Sequence, residues 1–167
     1  DGASKYWKTL FETMIPEGPY QPEASAIGRR SLAVTALTYL AKIEQVDTIL
    51  EDLFNNASNL TERFAAYRIA RSDAAPELSN VLSQKFLDGA DTDEVLDLWL
   101  STEATNECTA TVERVRELTE HERFAWTNPN RVRAVLGAFA NRNVKAFYST
   151  EGYQTLTAVS YTHLTLP

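Results

Sequence analysis

Apolar residues recur every three or four positions along almost the whole chain, which is the spacing of one face of an α-helix. The clearest stripe is made of Ile43, Val46, Ile49, Leu50, Leu53 and Phe54. Polar and acidic residues fill the positions between them, as in a helix that buries one face. The pattern therefore predicts a chain in which almost every segment is helical.

Capping signals mark where these helices begin and end. A side-chain oxygen just before a helix, or a proline in its first turn, suits the unpaired N–H groups of a helix start. Such signals occur at Asn59 with Glu62, at Pro76, at Asp91 with Glu94, at Asn106, and at Asn128 with Pro129. Gly89 is a natural helix stop.

The clear starts fall near residues 29, 60, 92 and 129, so they are about 31, 32 and 37 residues apart. Each interval has room for a pair of helices, although no sequence motif repeats with the period. We therefore predict an all-α fold, an α-solenoid-like superhelix of antiparallel helical hairpins that is truncated at both ends.

The two ends of the chain differ from its middle. Residues 1–22 are predicted to be a partial N-terminal helix and a proline-rich loop, and the start lacks an initiator Met, as in the interior of a longer chain. Residues 23–157 are the predicted, incomplete helical domain. Residues 158–167 are a predicted non-native tail, because Val159–Pro167 is β-prone, uncharged and similar to a translated sequencing adapter. The alternative is a genuine β-prone peptide, and His163 is left out of any site.

The helix predicted for Pro129–Ala140 has apolar residues on one side and small ones on the other. Its stripe is Val132, Val135, Leu136 and Phe139, and its opposite face holds Ala134, Gly137 and Ala138. Small residues allow close approach, so we expect this helix to pack on both sides or to line an enclosed surface. Arg131 and Arg133 lie on opposite flanks of the stripe.

Composition narrows the possible chemistry. The net charge of −7 disfavours nucleic-acid binding, and no apolar run is long enough to span a membrane.

The single cysteine, Cys108, permits no internal disulfide and fits a reducing compartment, and it is either a packed side chain or a nucleophile. His121 is either a solvated loop residue or a general base. The acidic cluster Asp88, Asp91, Asp93, Glu94 and Asp97 lacks EF-hand spacing and fits a solvated helix start.

One segment is basic, although the chain as a whole carries a net negative charge. From residue 123 to 145 there is no acid and there are five basic residues, Arg123, Arg131, Arg133, Arg142 and Lys145. This basic segment could bind a carboxylate or form an interdomain salt-bridge face, and both interpretations remain open. Zinc-helix, phosphate-loop and nucleophile-elbow motifs are absent from the sequence, so no catalytic or metal-ligating residue is assigned.

Several motifs in order resemble the C-terminal domain of bacterial alanyl aminopeptidases, the aminopeptidase N family of gluzincin metalloaminopeptidases. Gly28-Arg29-Arg30-Ser31-Leu32 resembles its Gly-Arg-Arg-x-Leu helix, and Asn59–Arg63 resembles an Asn-Met-Thr-Asp helix start. Leu96–Leu100 resembles an Asp-Lys-Trp-Phe segment without the Lys. The strongest similarity runs from Phe124 through Asn128-Pro129-Asn130-Arg131-Val132-Arg133 to Ala140, and it ends at Gly152-Tyr153.

The resemblance implies a zinc-dependent peptidase that removes N-terminal residues from peptides in the cytoplasm. Its zinc and catalytic residues would lie in a catalytic domain upstream, so this chain is expected to hold no cofactor and to be non-catalytic alone. The chain would enclose the active-site cavity and control access to it. Its partners would be that catalytic domain and peptide substrates, with neither nucleic acid nor membrane. The resemblance implies Arg133, Asn130 and Arg131 as the cavity residues, with Arg133 on the cavity side and Arg131 more suited to an ion pair. The alternative is an autonomous helical-repeat scaffold that binds a protein partner.

Overall fold

The computed structural model describes residues 2–105 and 111–163, and among them it contains helices and connecting loops but no strand. The helices are α1 (Gly2–Met14), α2 (Ala24–Leu40), α3 (Asp47–Asn56), α4 (Leu60–Ile69), α5 (Pro76–Asp88), α6 (Asp93–Thr105), α7 (Thr111–Glu120), α8 (Pro129–Val132), α9 (Ala138–Arg142), α10 (Val144–Phe147) and α11 (Thr150–His163). Two π-helical turns, Ala70–Ala74 and Arg133–Gly137, follow α4 and α8. The predicted all-α fold is confirmed.

Most predicted helix starts are found where their capping residues lie. The Asn59 side chain accepts a hydrogen bond from the Glu62 N–H at 3.0 Å, and the Asn128 side chain accepts one from the Asn130 N–H, also at 3.0 Å. Pro76 begins α5, which ends at Asp88 beside the predicted stop. The predicted cap at Asn106 falls outside the described residues.

Two predicted starts are displaced. The helix expected near Arg29 begins at Ala24. The start expected at Asp91 is capped instead by Thr92, whose hydroxyl accepts a hydrogen bond from the Val95 N–H at 3.4 Å. Serine and threonine hydroxyls cap as carboxylates do, so the sequence alone left neighbouring candidates of similar quality.

The chain divides into two compact units, Asp1–Phe86 and Leu87–Pro167. In the first, α2 is buried along Ala33, Ala36, Leu37 and Leu40, while Leu32 is 42% exposed. The small alanines allow neighbouring helices to approach α2 closely. Packed rings of α4 and α5 extend this core, with the Tyr67 and Phe86 ring centroids 4.8 Å apart.

In the second unit, α6 and α7 pack against the helix that runs from α8 through the π turn to α9. The buried side chains here include Leu96, Trp99 and Leu100 of α6, Val115 and Leu118 of α7, and Val135, Leu136 and Phe139. The predicted stripe of the helix α8–α9 is therefore buried at Val135, Leu136 and Phe139 and half-buried at Val132, and Ala138 on the small-residue face is also buried.

The helix α11 runs to His163, so residues 159–163 are helical although their composition is β-prone, and the non-native origin of the tail stays a prediction. Extending an existing helix by a few residues costs little compared with starting one, which allows a β-prone segment to continue it. Residues 164–167 lie outside the described ranges.

Candidate functional site

The second unit carries an open groove of about 340 Å³ between α6 and the helix α8–α9. Its walls are formed by Glu94, Asp97, Leu98 and Ser101 of α6 and by Asn130, Arg133, Ala134 and Arg142 of the opposite helix. The groove therefore contains two of the three predicted cavity residues. The small side chain of Ala134 leaves room between the two walls.

Arg131, the third predicted residue, does not line this groove. It is 3% exposed, and its guanidinium is held entirely by α6. Nη1 donates to the Asp93 carbonyl oxygen at 3.0 Å and to the Asp97 carboxylate, and Nη2 donates to the Asp93 carboxylate at 2.6 Å. Arg131 therefore forms ion pairs with α6, as its flank of the helix suggested, and its role as a cavity contact stays a prediction.

Arg133 and Asn130 are exposed in the groove. Among the described residues, no hydrogen-bond or ion-pair partner is found for the Arg133 guanidinium. The two arginines therefore differ, as their positions on opposite flanks of the helix predict. Arg131 is buried and bonds to α6, whereas Arg133 is available to a ligand. Whether Asn130 or Arg133 contacts a substrate stays a prediction.

Glu94 is one of the two acids that line the groove. A hydrogen bond from its own backbone N–H lowers the pKa of Glu94, and the Thr92 hydroxyl and the Arg131 charge act in the same direction. Asp97 is already paired with Arg131. Glu94 is therefore the one acid of this lining without a cation within salt-bridge distance among the described residues.

The remaining members of the basic segment have different surroundings. Arg123 donates to backbone carbonyl oxygens of Leu87 and Ala90, so it holds the loop after α5. Lys145 is exposed and does not line the groove. Arg142 lines the groove, which sequence reasoning did not predict.

His121 is half-buried, which corrects the interpretation of a solvated loop residue. Its ring lies 5.4 Å from the Trp99 ring, and its Nδ1 accepts a hydrogen bond from the Arg123 N–H at 3.2 Å. Burial lowers the pKa of His121, and the charges of Arg114 and Arg123 lower it further, while Glu122 opposes them. The imidazole is thus a neutral packing element beside Trp99.

The acidic cluster is only partly the solvated helix start that was expected, because Asp93 and Asp97 hold Arg131. Their i, i+4 spacing on one helix face was a signal that sequence reasoning missed. Within residues 2–105 and 111–163, no group of three potential metal ligands comes together. Cys108 lies outside the described residues. No helix in the described part of the chain has the length and hydrophobicity needed to cross a membrane.

The chain is similar in sequence to a known domain family and to aminopeptidases. Residues 2–160 match a family described as a domain of unknown function (DUF3458_C) with ARM repeats. Aminopeptidase N of Haemophilus influenzae is 35% identical over 150 residues, which cover 88% of this chain and 17% of that protein. Aminopeptidase N of Escherichia coli K12 is 32% identical over 81% of this chain and 16% of its own length.

A solved structure has the same fold. The crystal structure of Legionella pneumophila aminopeptidase A in complex with aspartic acid matches with a TM-score of 0.83 and 24% identity, over 96% of this chain and 20% of that one. This chain thus spans about a sixth of the length of the curated relatives. The predicted resemblance is confirmed: this chain belongs to the DUF3458_C ARM-repeat family, and it is similar to the helical C-terminal part of aminopeptidases.

Proposed function

We propose that this chain is the C-terminal helical domain of a longer, cytoplasmic, zinc-dependent aminopeptidase, in which it encloses the active-site cavity and controls access to it. The observation that carries the proposal is the similarity to aminopeptidase N over 88% of the chain. An independent scaffold would need no such relatives. The net charge of −7 agrees with peptide rather than nucleic-acid ligands.

Zinc would belong to another part of that polypeptide. The described residues of this chain bring no three potential ligands together, and a catalytic zinc site needs three protein ligands with an open fourth position. This chain would act on the substrate through its own side chains, by binding and orienting the peptide's downstream part. Its partners would be the catalytic domain of the same protein and the peptide substrates.

Arg133 is the side chain best suited to that role. Its guanidinium is exposed in the groove and is left without an acid partner among the described residues, so a substrate carboxylate would not have to displace an existing ion pair. Arginine suits a carboxylate because its planar donors match both oxygens.

The test uses the full-length protein with Arg133→Ala, and Lys145→Ala as a charge-matched control outside the groove. A hydrogen bond to a charged group contributes about 1.5–3 kcal/mol, less in a solvated cavity, so we expect a several-fold loss of kcat/KM for peptides. A single-residue chromogenic amide, which has no downstream carboxylate, should change little. Equal slowing of both substrates would contradict the contact.

The enzyme assignment itself is tested by extending the gene upstream. A His-Glu-x-x-His motif and chelator-sensitive aminopeptidase activity are expected there. Further helical repeats without such a motif would favour a protein-binding scaffold.

A further inference from the structure

The groove between α6 and α8–α9 presents two guanidinium groups, and the second is Arg142. In the second unit, arginines 114, 116, 123 and 131 each bond to carboxylates, a hydroxyl or backbone carbonyl oxygens. Arg133 and Arg142 are the two arginines of this unit without such a partner among the described residues. Both are exposed, and both line the same groove.

A regular helix would not bring these two side chains together. Nine residues of α-helix turn through about 900°, which would put residues 133 and 142 on opposite faces. The π turn Arg133–Gly137 accommodates one extra residue in the helix. The residues beyond it are set back by about 100°, so that Arg142 faces within roughly 80° of Arg133.

The side chain that a regular helix would present in the groove has another role. Counting on from Asn130 and Ala134 at helical spacing leads to Asn141, whose side-chain amide instead donates to the Gly137 carbonyl oxygen at 2.7 Å. This bond supports the end of the π turn. The turn therefore replaces an amide with a guanidinium in the groove.

We infer that Arg133 and Arg142 together form a carboxylate-binding site, and that the π turn is the element that assembles it. The inference rests on the proposed function for the identity of the ligand, which would be a carboxylate in the downstream part of a peptide substrate. Two guanidinium groups can share one carboxylate or hold a terminal and a side-chain carboxylate together. Asp97 is neutralised by Arg131, so Glu94 is the acid that opposes the ligand.

The site can be tested in this chain alone, because both walls of the groove belong to it. The probe is acetyl-trialanine with a free carboxylate, titrated into isotope-labelled protein and followed by NMR. Its C-terminal amide is the matched control ligand, and acetyl-Ala-Glu-Ala-amide distinguishes a side-chain from a terminal carboxylate. Sulfate tests for a general anion site.

Four single variants and one double variant define the contribution of Arg142. Arg142→Gln and Arg133→Gln should each weaken binding of the carboxylate roughly two- to fivefold, as expected for exposed ion pairs. Arg142→Lys should lie between Arg142→Gln and the parent chain. Lys145→Gln removes the same charge three residues away, outside the groove, and should leave affinity unchanged. Because the two arginines share one ligand, the double variant should lose less than the product of the single losses.

Three outcomes would overturn the site: Arg142→Gln binding like the parent chain, Lys145→Gln weakening binding equally, or the amide or sulfate binding as well as the carboxylate. These results are separable from the enzyme assignment. Failure of carboxylate binding would leave an upstream zinc motif untouched, and absence of that motif would leave the binding data intact.

Discussion

Neighbouring arginines of one helix differ because of what lies opposite them. Arg131 faces α6, where a carbonyl oxygen and two carboxylates one turn apart take up its donors. Arg133 faces the open groove. Burying a guanidinium is costly unless its N–H donors are hydrogen-bonded. Arg131 therefore holds α8 against α6, whereas the exposed Arg133 can bind a ligand.

The first prediction concerns this fastening. Arg131→Met keeps the aliphatic stem but removes the donors, leaving Asp97, whose side chain is 24% exposed, without its cation. We expect a loss of about 1–3 kcal/mol in the free energy of unfolding, measured by urea denaturation. Arg133→Met, which changes an exposed side chain, is the control and should be nearly neutral. Equal stability of the two variants would contradict the role of Arg131.

Arg30 plays a comparable part in the first unit. It is 3% exposed, forms an ion pair with Glu62 at 3.5 Å, and lies 4.5 Å from the Tyr20 ring centroid. Its Nη2 also donates to the Gln21 carbonyl oxygen. The capping signal predicted at Asn59 with Glu62 is therefore formed only in part: the Asn59 side chain caps the helix, while the Glu62 side chain pairs with Arg30. A sequence shows the local partner of Glu62 but not the distant one.

At the scale of elements, the motifs that resemble aminopeptidases include two glycines, and the packing of the helices requires glycine at only one of them. A Cβ at Gly152 in α11 would lie 2.4 Å from the Phe147 carbonyl oxygen and 2.5 Å from that of Ala146. Both are backbone atoms, so only glycine allows α11 to begin this close to α10. A Cβ at Gly28 in α2 would meet nothing within 4 Å.

The matched pair Gly152→Ala and Gly28→Ala tests this difference. Gly152→Ala should destabilise the chain by several kcal/mol or displace α11, since the backbone must move. Gly28→Ala should stabilise it by about 0.4–1 kcal/mol, because alanine loses less backbone entropy within a helix. Thermal melts of both variants, with circular dichroism to follow helix content, decide the matter. A Gly152→Ala chain as stable as its parent would contradict the close approach.

The predicted tail gives another element-scale expectation. Trimming the chain after Thr157 should leave its melting temperature unchanged within error, if the residues beyond make no native packing. Thr155, two residues before the cut, is buried, so a chain ending before it would serve as the positive control for damage. A loss of several degrees on trimming after Thr157 would mean that the terminal residues are structural.

For the whole molecule, the sequence predicts those features that are determined by interactions within one helical turn, such as helix starts. Asn59, Pro76 and Asn128 mark helix starts through side chains and backbone restrictions that act within one turn, and the structure has helices there. The π turn at Arg133–Gly137 was not predictable in the same way, because its residues also fit a regular helix. Arg142 was missed for that reason: its place in the groove depends on a shift of one residue in helical register.

The last prediction is that this chain alone is not a metalloenzyme. Catalysis by zinc needs three converging protein ligands, and no three potential ligands converge within the described ranges. We therefore expect purified protein to contain far less than one zinc per chain by elemental analysis and to release no product from an alanyl chromogenic amide above the blank. The control is a longer protein that includes the upstream region, which should bind zinc and turn over the same amide. Stoichiometric zinc together with turnover by the 167-residue chain would assign the chemistry to these residues and contradict the proposed division between the domains.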